Sequence, residues 1–369
     1  MTTTFPATGT GLRDRCAELF CADLAPMLRR LGARDKGAGA RAVLHPDDAA
    51  TREGVWAALA DLGAFGDQRQ RDLVDLAELA GWALYQSPLT DSWFAAELLT
   101  ATGDPAYAPI LRDLAGGATA LAVAMRERPG DEPTEPGPLH RHEHGTVDAI
   151  RSVVAFAPDA GHLLLVGTDG GRTLLAVVPA TGPGVTLRRH DDIARGDLYT
   201  VTVTHGEVVG AVHDITDQYA AALARARLRH AAYLAGSARG AIEVAAQRLR
   251  ERTAFGQPLA RMQALAYRFA ALAARTAAVL SSVRAGALAA DEGADVRLTG
   301  AQVLLLAGVL AQEAAAECVH VHGAHGMTEA GDAQLFYRRA VVDAAWLGRT
   351  PSLRREAGRL LAHSRIPPR

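Results

Sequence analysis

The sequence predicts a mainly α protein with a small β domain in its middle, and three observations predict it. Apolar residues recur three and four apart from about Leu12 to Leu114, and again from about Ile215 to Leu361, which is the helical period. Between these blocks, short strand-like runs are separated by Gly, Pro and Asp, as in a small antiparallel β unit. The C-terminal runs are much longer than a typical globular helix, as in helices packed side by side in an antiparallel bundle. The expected division is a helical domain over residues 1–117, a β domain over 118–213 and a helical bundle over 214–369. A length of 369 residues agrees with two or three units at ~150 residues each.

In chain order, Val55 to Leu62 and Leu73 through Tyr85 read as amphipathic helices. Ser87-Pro88-Leu89-Thr90-Asp91 stops one helix and can cap the next. Ala118 to Met125 is a short apolar run. The segment Pro129 to Pro138, poor in order-promoting residues, is expected to be a solvated loop. Strands are expected over Val147 to Ala157, Leu163 to Val166, Leu174 to Val178 and Tyr199 to Thr204. Long helices are expected over Tyr219–Thr253, Arg261–Glu292 and Thr299–His322.

Composition excludes several functions. Lys and Arg total 39 against 41 acidic residues, a net charge of −2, so there is no basic excess for nucleic acid. Three cysteines, Cys16, Cys21 and Cys318, make no disulfide framework and no CxxC zinc pair. The N-terminal residues show no signal-peptide pattern. The longest apolar stretch, around Val303 to Ala311, is too short to span a bilayer. A soluble cytoplasmic protein, without nucleic-acid or membrane partners, is expected.

Two C-terminal segments carry the most information. One is Glu251-Arg252-Thr253-Ala254-Phe255-Gly256-Gln257-Pro258-Leu259, followed by Met262-Gln263-Ala264-Leu265. The other is His320-Val321-His322-Gly323-Ala324-His325-Gly326-Met327-Thr328-Glu329, followed by Phe336-Tyr337-Arg338-Arg339-Ala340. Taken singly, each also fits a plain helix end and turn. Together, with the α–β–α order, they resemble the acyl-CoA dehydrogenase superfamily of FAD enzymes. The resemblance spans essentially the whole chain, weakly in the middle, and Tyr337 to Ala340 with Leu347-Gly348 is similar to members acting on sterol side chains and other bulky thioesters. It implies a C-terminal four-helix bundle and α,β-desaturation of an acyl thioester, on CoA or a carrier protein. It also implies FAD at a subunit interface, in a homodimer, homotetramer or heterotetramer.

By resemblance, Arg252 would pair with the FAD pyrophosphate of a neighbouring subunit, a charge-assisted contact suited to a guanidinium. Phe255 would pack beside the adenosine half and Gln263 would make polar contacts. Gly323, Ala324 and Gly326 would let the backbone approach the dinucleotide, and His320 stands where the family usually has Gln.

Two family features are missing. Desaturation needs a carboxylate within reach of the α-carbon proton, and the two family positions for it hold Leu347 and Ala226. Glu243 lies nearer only in a shifted alignment and is expected on a solvated helical face. The family's Thr-Glu-Pro…Gly-Ser-Asp segment, which holds the flavin ring and phosphate, is matched only by Ala122 to Asp131, without the early hydroxyl. The half-site given to a neighbour is thus kept while the chain's own is eroded, as in a subunit that completes a partner's site. A flavin monooxygenase or N-oxidase of the same fold needs no such base and is the alternative, as is a scaffold without flavin.

His140, His142 and His144 would share one face of an extended strand, which could bind zinc or nickel. Their spacing is unlike a structural zinc site, and no metal is assigned. Cys318 is expected in the core.

Overall fold

The computed structural model describes residues 11–21, 25–29, 46–143, 145–190 and 197–365. The chain begins with helices α1 (Leu12–Cys16), α2 (Ala25–Arg29), α3 (Pro46–Asp61), α4 (Gln70–Trp82), α5 (Leu89–Thr102) and α6 (Ala108–Ala115). Strands follow: β1 (Leu121–Ala124), β2 (His140–Arg141), β3 (Thr146–Ala155), β4 (His162–Asp169), β5 (Arg172–Pro179), β6 (Val185–Arg189), β7 (Leu198–Glu207) and β8 (His213–Asp214). The long helix α7 (Thr216–Glu251) leads into a two-stranded hairpin, β9 (Thr253–Ala254) and β10 (Gln257–Pro258). Helices α8 (Gln263–Asp291), α9 (Arg297–His322), α10 (Ala333–Asp343) and α11 (Thr350–Arg365) complete the chain.

The strands form two four-stranded sheets, ordered β1-β4-β5-β8 and β2-β3-β7-β6. Every pairing is antiparallel except β1 with β4, so the β domain departs from the expectation at its first strand. Alternation explains the stacking. Leu163, Leu165, Ala176 and Val178 pack between the sheets. Leu164, Val166, Leu175 and Val177 point the other way and join the helical core. A strand buried on both faces reads as a continuous apolar run, which is why Leu163 to Val166 shows no polar alternation.

The segment expected to be a solvated loop is partly built into the protein. Pro133, Pro136 and Gly137 are buried. The reason is Arg151, a fully buried arginine whose guanidinium donates to the carbonyls of Val166, Ile150, Gly137 and Pro138. Tyr219 Oη donates to Pro133 O at 2.6 Å, fastening the same segment to α7. The polar main chain that composition assigned to water is satisfied by two buried side chains instead.

In the helical part, α7 crosses α4 with its backbone nearly in contact. A Cβ at Gly81 would lie 1.9 Å from Tyr233 O, and one at Gly236 would lie 2.1 Å from Glu78 O. No other residue type fits either position without moving a helix. By length and composition Arg297–Met327 would suffice to cross a membrane, with mean hydropathy 1.4, and half of its most apolar window is buried inside the fold. The apolar run is longer than Val303 to Ala311 because Ala, Leu and Val fill the buried face of α9 on either side.

Candidate functional site

Two places concentrate the chemistry. The first is a pocket of about 40 Å³, partly open to solvent, where the start of α5, the ends of β3 and β7, the middle of α7 and α10 meet. Asp91, Asp197, His230, Tyr233, Arg339, Asp343 and Trp346 line it. Arg339 and Asp343 form an ion pair one helical turn apart on α10, with Nη2–Oδ1 at 2.8 Å. The carbonyl of Asp343 is 2.7 Å from His230 Nε2, which fixes that nitrogen as the donor. Burial holds the His230 imidazole below its ordinary pKa, so the ring is neutral. Burial also pushes the Asp91 carboxyl up to about 7, against hydrogen bonding from the Trp346 indole and the charge of Arg126. Among the described residues, no group lies in hydrogen-bond geometry with Asp91 Oδ2 or His230 Nδ1.

Asp91 was read from sequence as part of a helix stop and cap. The helix starts there, but the Pro88 N-cap position makes no side-chain cap. The carboxylate turns inward and takes Trp346 Nε1 at 3.2 Å. Sequence reasoning also passed over His230 and Asp343, because a histidine and an acid in Ala-rich helices carry no local signal of facing one another.

Above this cavity, Arg126 spans from the end of β1 to the end of α10. Its guanidinium donates to the carbonyls of Ala345, at 2.9 Å, and Trp346, and lies over the Trp346 ring at 5.8 Å from the centroid. It is buried, and burial lowers its pKa, with Glu132 the largest opposing charge. Ser152 ties the same segment down, with its N–H on Arg126 O and its hydroxyl on Glu127 O. These contacts tie the sheet to the bundle beside the pocket.

The two positions expected to carry a base are structural. Leu347 is buried, and its carbonyl accepts from Arg227 Nε at 3.0 Å. Ala226 is buried on α7, and its neighbour Arg227 continues to Glu356 at 2.7 Å. Glu243 is half-buried rather than solvated: it accepts from the Trp82 indole at 2.7 Å and pairs with Arg239. It is absent from the cavity lining.

The second place is the end of the bundle, where the two C-terminal segments meet. Arg252 is the C-cap residue of α7, and Gly323 ends α9 with φ +62°. A Cβ on Gly323 would sit 3.9 Å from Arg252 Nη1, so the structure brings these two residues together. Arg252 is exposed and, among the described residues, has no carboxylate partner, unlike Arg239 earlier on α7 and Arg268 on α8. Phe255 and Gly256 form the turn of the β9–β10 hairpin, both with positive φ (52° and 77°), the geometry of a type I′ turn. Phe255 is 95% exposed, so a strained backbone holds a large apolar ring in solvent. Gln263, His320 and Ala324 are exposed as well. Gly326 is turned inward, where a Cβ would meet Val319 O at 2.7 Å.

The outward side of α8 continues this surface, with Tyr267, Ala270, Ala274 and Ala278 exposed at helical spacing. A polar face is expected on a solvated helix; here the face is small and apolar.

Residues 217–361 match the family model "Acyl-CoA dehydrogenase, C-terminal domain". Solved structures match over nearly the whole length. A variant of the Tcur3481-Tcur3483 steroid ACAD has 22% identity and a TM-score of 0.83, covering 96% of this chain and 97% of that one. The ChsE4-ChsE5 complex from Mycobacterium tuberculosis has 19% identity and a TM-score of 0.79, covering 99% and 100%. The chain has the acyl-CoA dehydrogenase fold. A third structure with this fold, a glutaryl-CoA dehydrogenase from Mycobacterium smegmatis in complex with FADH2, has 14% identity and a TM-score of 0.77 over 92% and 94%. Comparison with curated proteins gives no match. Both C-terminal segments, and the cavity residues His230 to Trp346, lie in the part that matches the acyl-CoA dehydrogenase C-terminal domain.

Proposed function

We propose that this chain is the base-lacking subunit of an FAD-dependent acyl-CoA dehydrogenase-type assembly, donating the adenosine-side half of the flavin site to a partner of the same fold. The observation that carries the reading is Arg126. Its buried guanidinium bridges the β1 end to the carbonyls of Ala345 and Trp346, closing the cleft in which this chain would otherwise hold its own ring. The cavity beneath, about 40 Å³, holds a few waters and is far below the ~300 Å³ where ligand pockets begin. Leu347 and Ala226 offer no carboxylate, and the aspartates lining the pocket are engaged by the chain's own groups, Asp91 by the Trp346 indole, Asp197 by Arg189 and Asp343 by Arg339.

In this reading the pocket, narrowed beside Arg126, leaves no room for this chain's own flavin ring. The exposed end of the bundle does fit the phosphate and adenosine half of FAD. Arg252 presents an unpaired guanidinium beside the bare backbone of Gly323, and Phe255 presents an uncovered ring. Gln263, His320 and Ala324 complete the rim, with Gly326 shaping the turn from within. The apolar outer face of α8 supplies the contact area that brings the partner close.

Heteromeric assembly has a parallel in the ChsE4-ChsE5 complex. The acyl thioester and the proton-abstracting group belong to the partner's site in this reading. We place the assembly in the cytoplasm, in keeping with cysteines that are all unpaired.

The test is co-expression with a second dehydrogenase-like chain bearing an intact Thr-Glu-Pro segment and a glutamate base. The expected product is a heteromer with one FAD for each pair of chains, whose flavin is released by Arg252→Ala. A stable complex with one FAD on every chain would refute the division of roles.

A further inference from the structure

Three side chains far from the bundle converge at the edge of the β2-β3-β7-β6 sheet. The histidines expected to share a strand face do not do so: β2 ends at Arg141, and His142 lies in the turn to β3, with its N–H on Thr146 O at 2.9 Å. His144 lies outside the described residues. His142 Nε2 instead lies 3.0 Å from Asp148 Oδ2, and its ring is tilted over that of His205 with centroids 4.5 Å apart.

The backbone is shaped to bring His205 there. The β3–β7 register shifts between Val147 and Ala149, leaving Asp148 without a partner in β7, while His140 pairs with it from β2. His205 occupies the irregularity with φ +48°, a conformation disfavoured for a residue with a side chain. Its N–H donates to Asp148 Oδ1 at 2.6 Å, which leaves Oδ2 free to face the rings. One ligand atom each from His142, Asp148 and His205 lies within 4.8 Å of the other two. His142 Nε2 is shielded from solvent and faces Asp148 Oδ2 at 3.0 Å. Two imidazoles and a carboxylate oxygen converging at this range can share one cation.

We propose that His142, Asp148 and His205 form a binding site for one divalent transition-metal ion, with zinc the best match. Two imidazoles and one carboxylate disfavour calcium and magnesium, which take oxygen ligands, and the set contains no sulfur to favour copper(I). Three protein ligands leave a fourth tetrahedral position for water. The ligands come one each from the β2–β3 turn, β3 and β7, so the ion staples the irregular part of the sheet. The site is independent of the flavin reading and stands or falls separately.

The experiment is calorimetric titration of the untagged full chain with zinc chloride, with thermal melting alongside. One zinc per chain is expected, with a rise in Tm that EDTA reverses. His205→Asn, which keeps a residue tolerant of the left-handed backbone, and Asp148→Asn should each weaken binding at least ~10-fold. Neither should change the melt of the zinc-free protein by more than a few degrees. His140→Ala should leave binding unchanged. No saturable binding, or binding that survives His205→Asn, overturns the proposal. Loss of binding in His140→Ala alone also overturns it, placing the ion on the strand face instead.

Discussion

Asp91→Asn is the substitution whose effect the structure quantifies best. The carboxyl is buried, and its pKa is pushed from an ordinary 3.8 up to about 7. The folded chain therefore holds the proton more tightly than the unfolded chain, and stability falls as pH rises from about 4 to about 7. A shift of ~3 units at 1.36 kcal/mol per unit sets a ceiling of ~4 kcal/mol on that loss above pH 7. At pH 5 only ~1.6 kcal/mol of it has developed. Asparagine keeps an acceptor for the Trp346 indole and places its NH2 at Oδ2, which has no partner among the described residues. The variant should thus gain on the natural chain by ~2–3 kcal/mol between pH 5 and pH 8. His230 and the surface groups titrate alike in both proteins and cancel. Urea unfolding of both proteins at the two pH values measures the difference. A gap that stays constant with pH would mean that Asp91 is ionised in the folded state at neutral pH, and the account of the cavity would fail.

Other substitutions test single contacts. Gly236→Ala drives a methyl into Glu78 O, 2.1 Å away, and should cost ~3 kcal/mol or more in unfolding experiments; a neutral result would mean that α4 and α7 are not in backbone contact. Glu243→Gln keeps the acceptor for Trp82 and should change stability by less than ~1 kcal/mol, with no effect on desaturation by an assembled complex; abolished turnover with flavin retained would make Glu243 the base. Phe255→Asn replaces a strained exposed ring by a residue that tolerates positive φ and should raise the stability of the isolated chain by up to ~1 kcal/mol while weakening flavin retention in the heteromer. Equal flavin retention would remove Phe255 from the site.

Most of the fold was legible because its signals are local and periodic. The Ala- and Leu-rich repeats that build α7, α8 and α9 declare themselves over many turns, and their ends fall within a few residues of the helices observed. The strands Val185–Arg189 and His213–Asp214 were not anticipated, since short edge segments carrying Arg, His and Asp look like loop. The Pro129 to Pro138 segment read as solvated because Arg151, the residue that satisfies its carbonyls, is more than a dozen positions away. The exposed end of the bundle was legible for a different reason. Arg252, Phe255 and Gly323 sit in compact motifs whose residues keep fixed spacings, so the sequence singled them out before the structure brought Arg252 to Gly323. The cavity was not legible, because Asp91, His230 and Asp343 come from three helices and only tertiary packing makes them neighbours. Arg126 was not singled out within the Ala122 to Asp131 run; that it would reach across to Ala345 and Trp346 depends on where α10 ends.

The central claim is that this chain's interior is closed to FAD and that its bundle end serves another subunit. The visible spectrum of the purified chain, read together with its mass in solution, tests this most directly. The account predicts a protein without flavin absorbance when the chain is produced alone, even with FAD supplied during folding. One FAD per chain in a homomer would contradict it, and would require Arg126 to leave the carbonyls of Ala345 and Trp346.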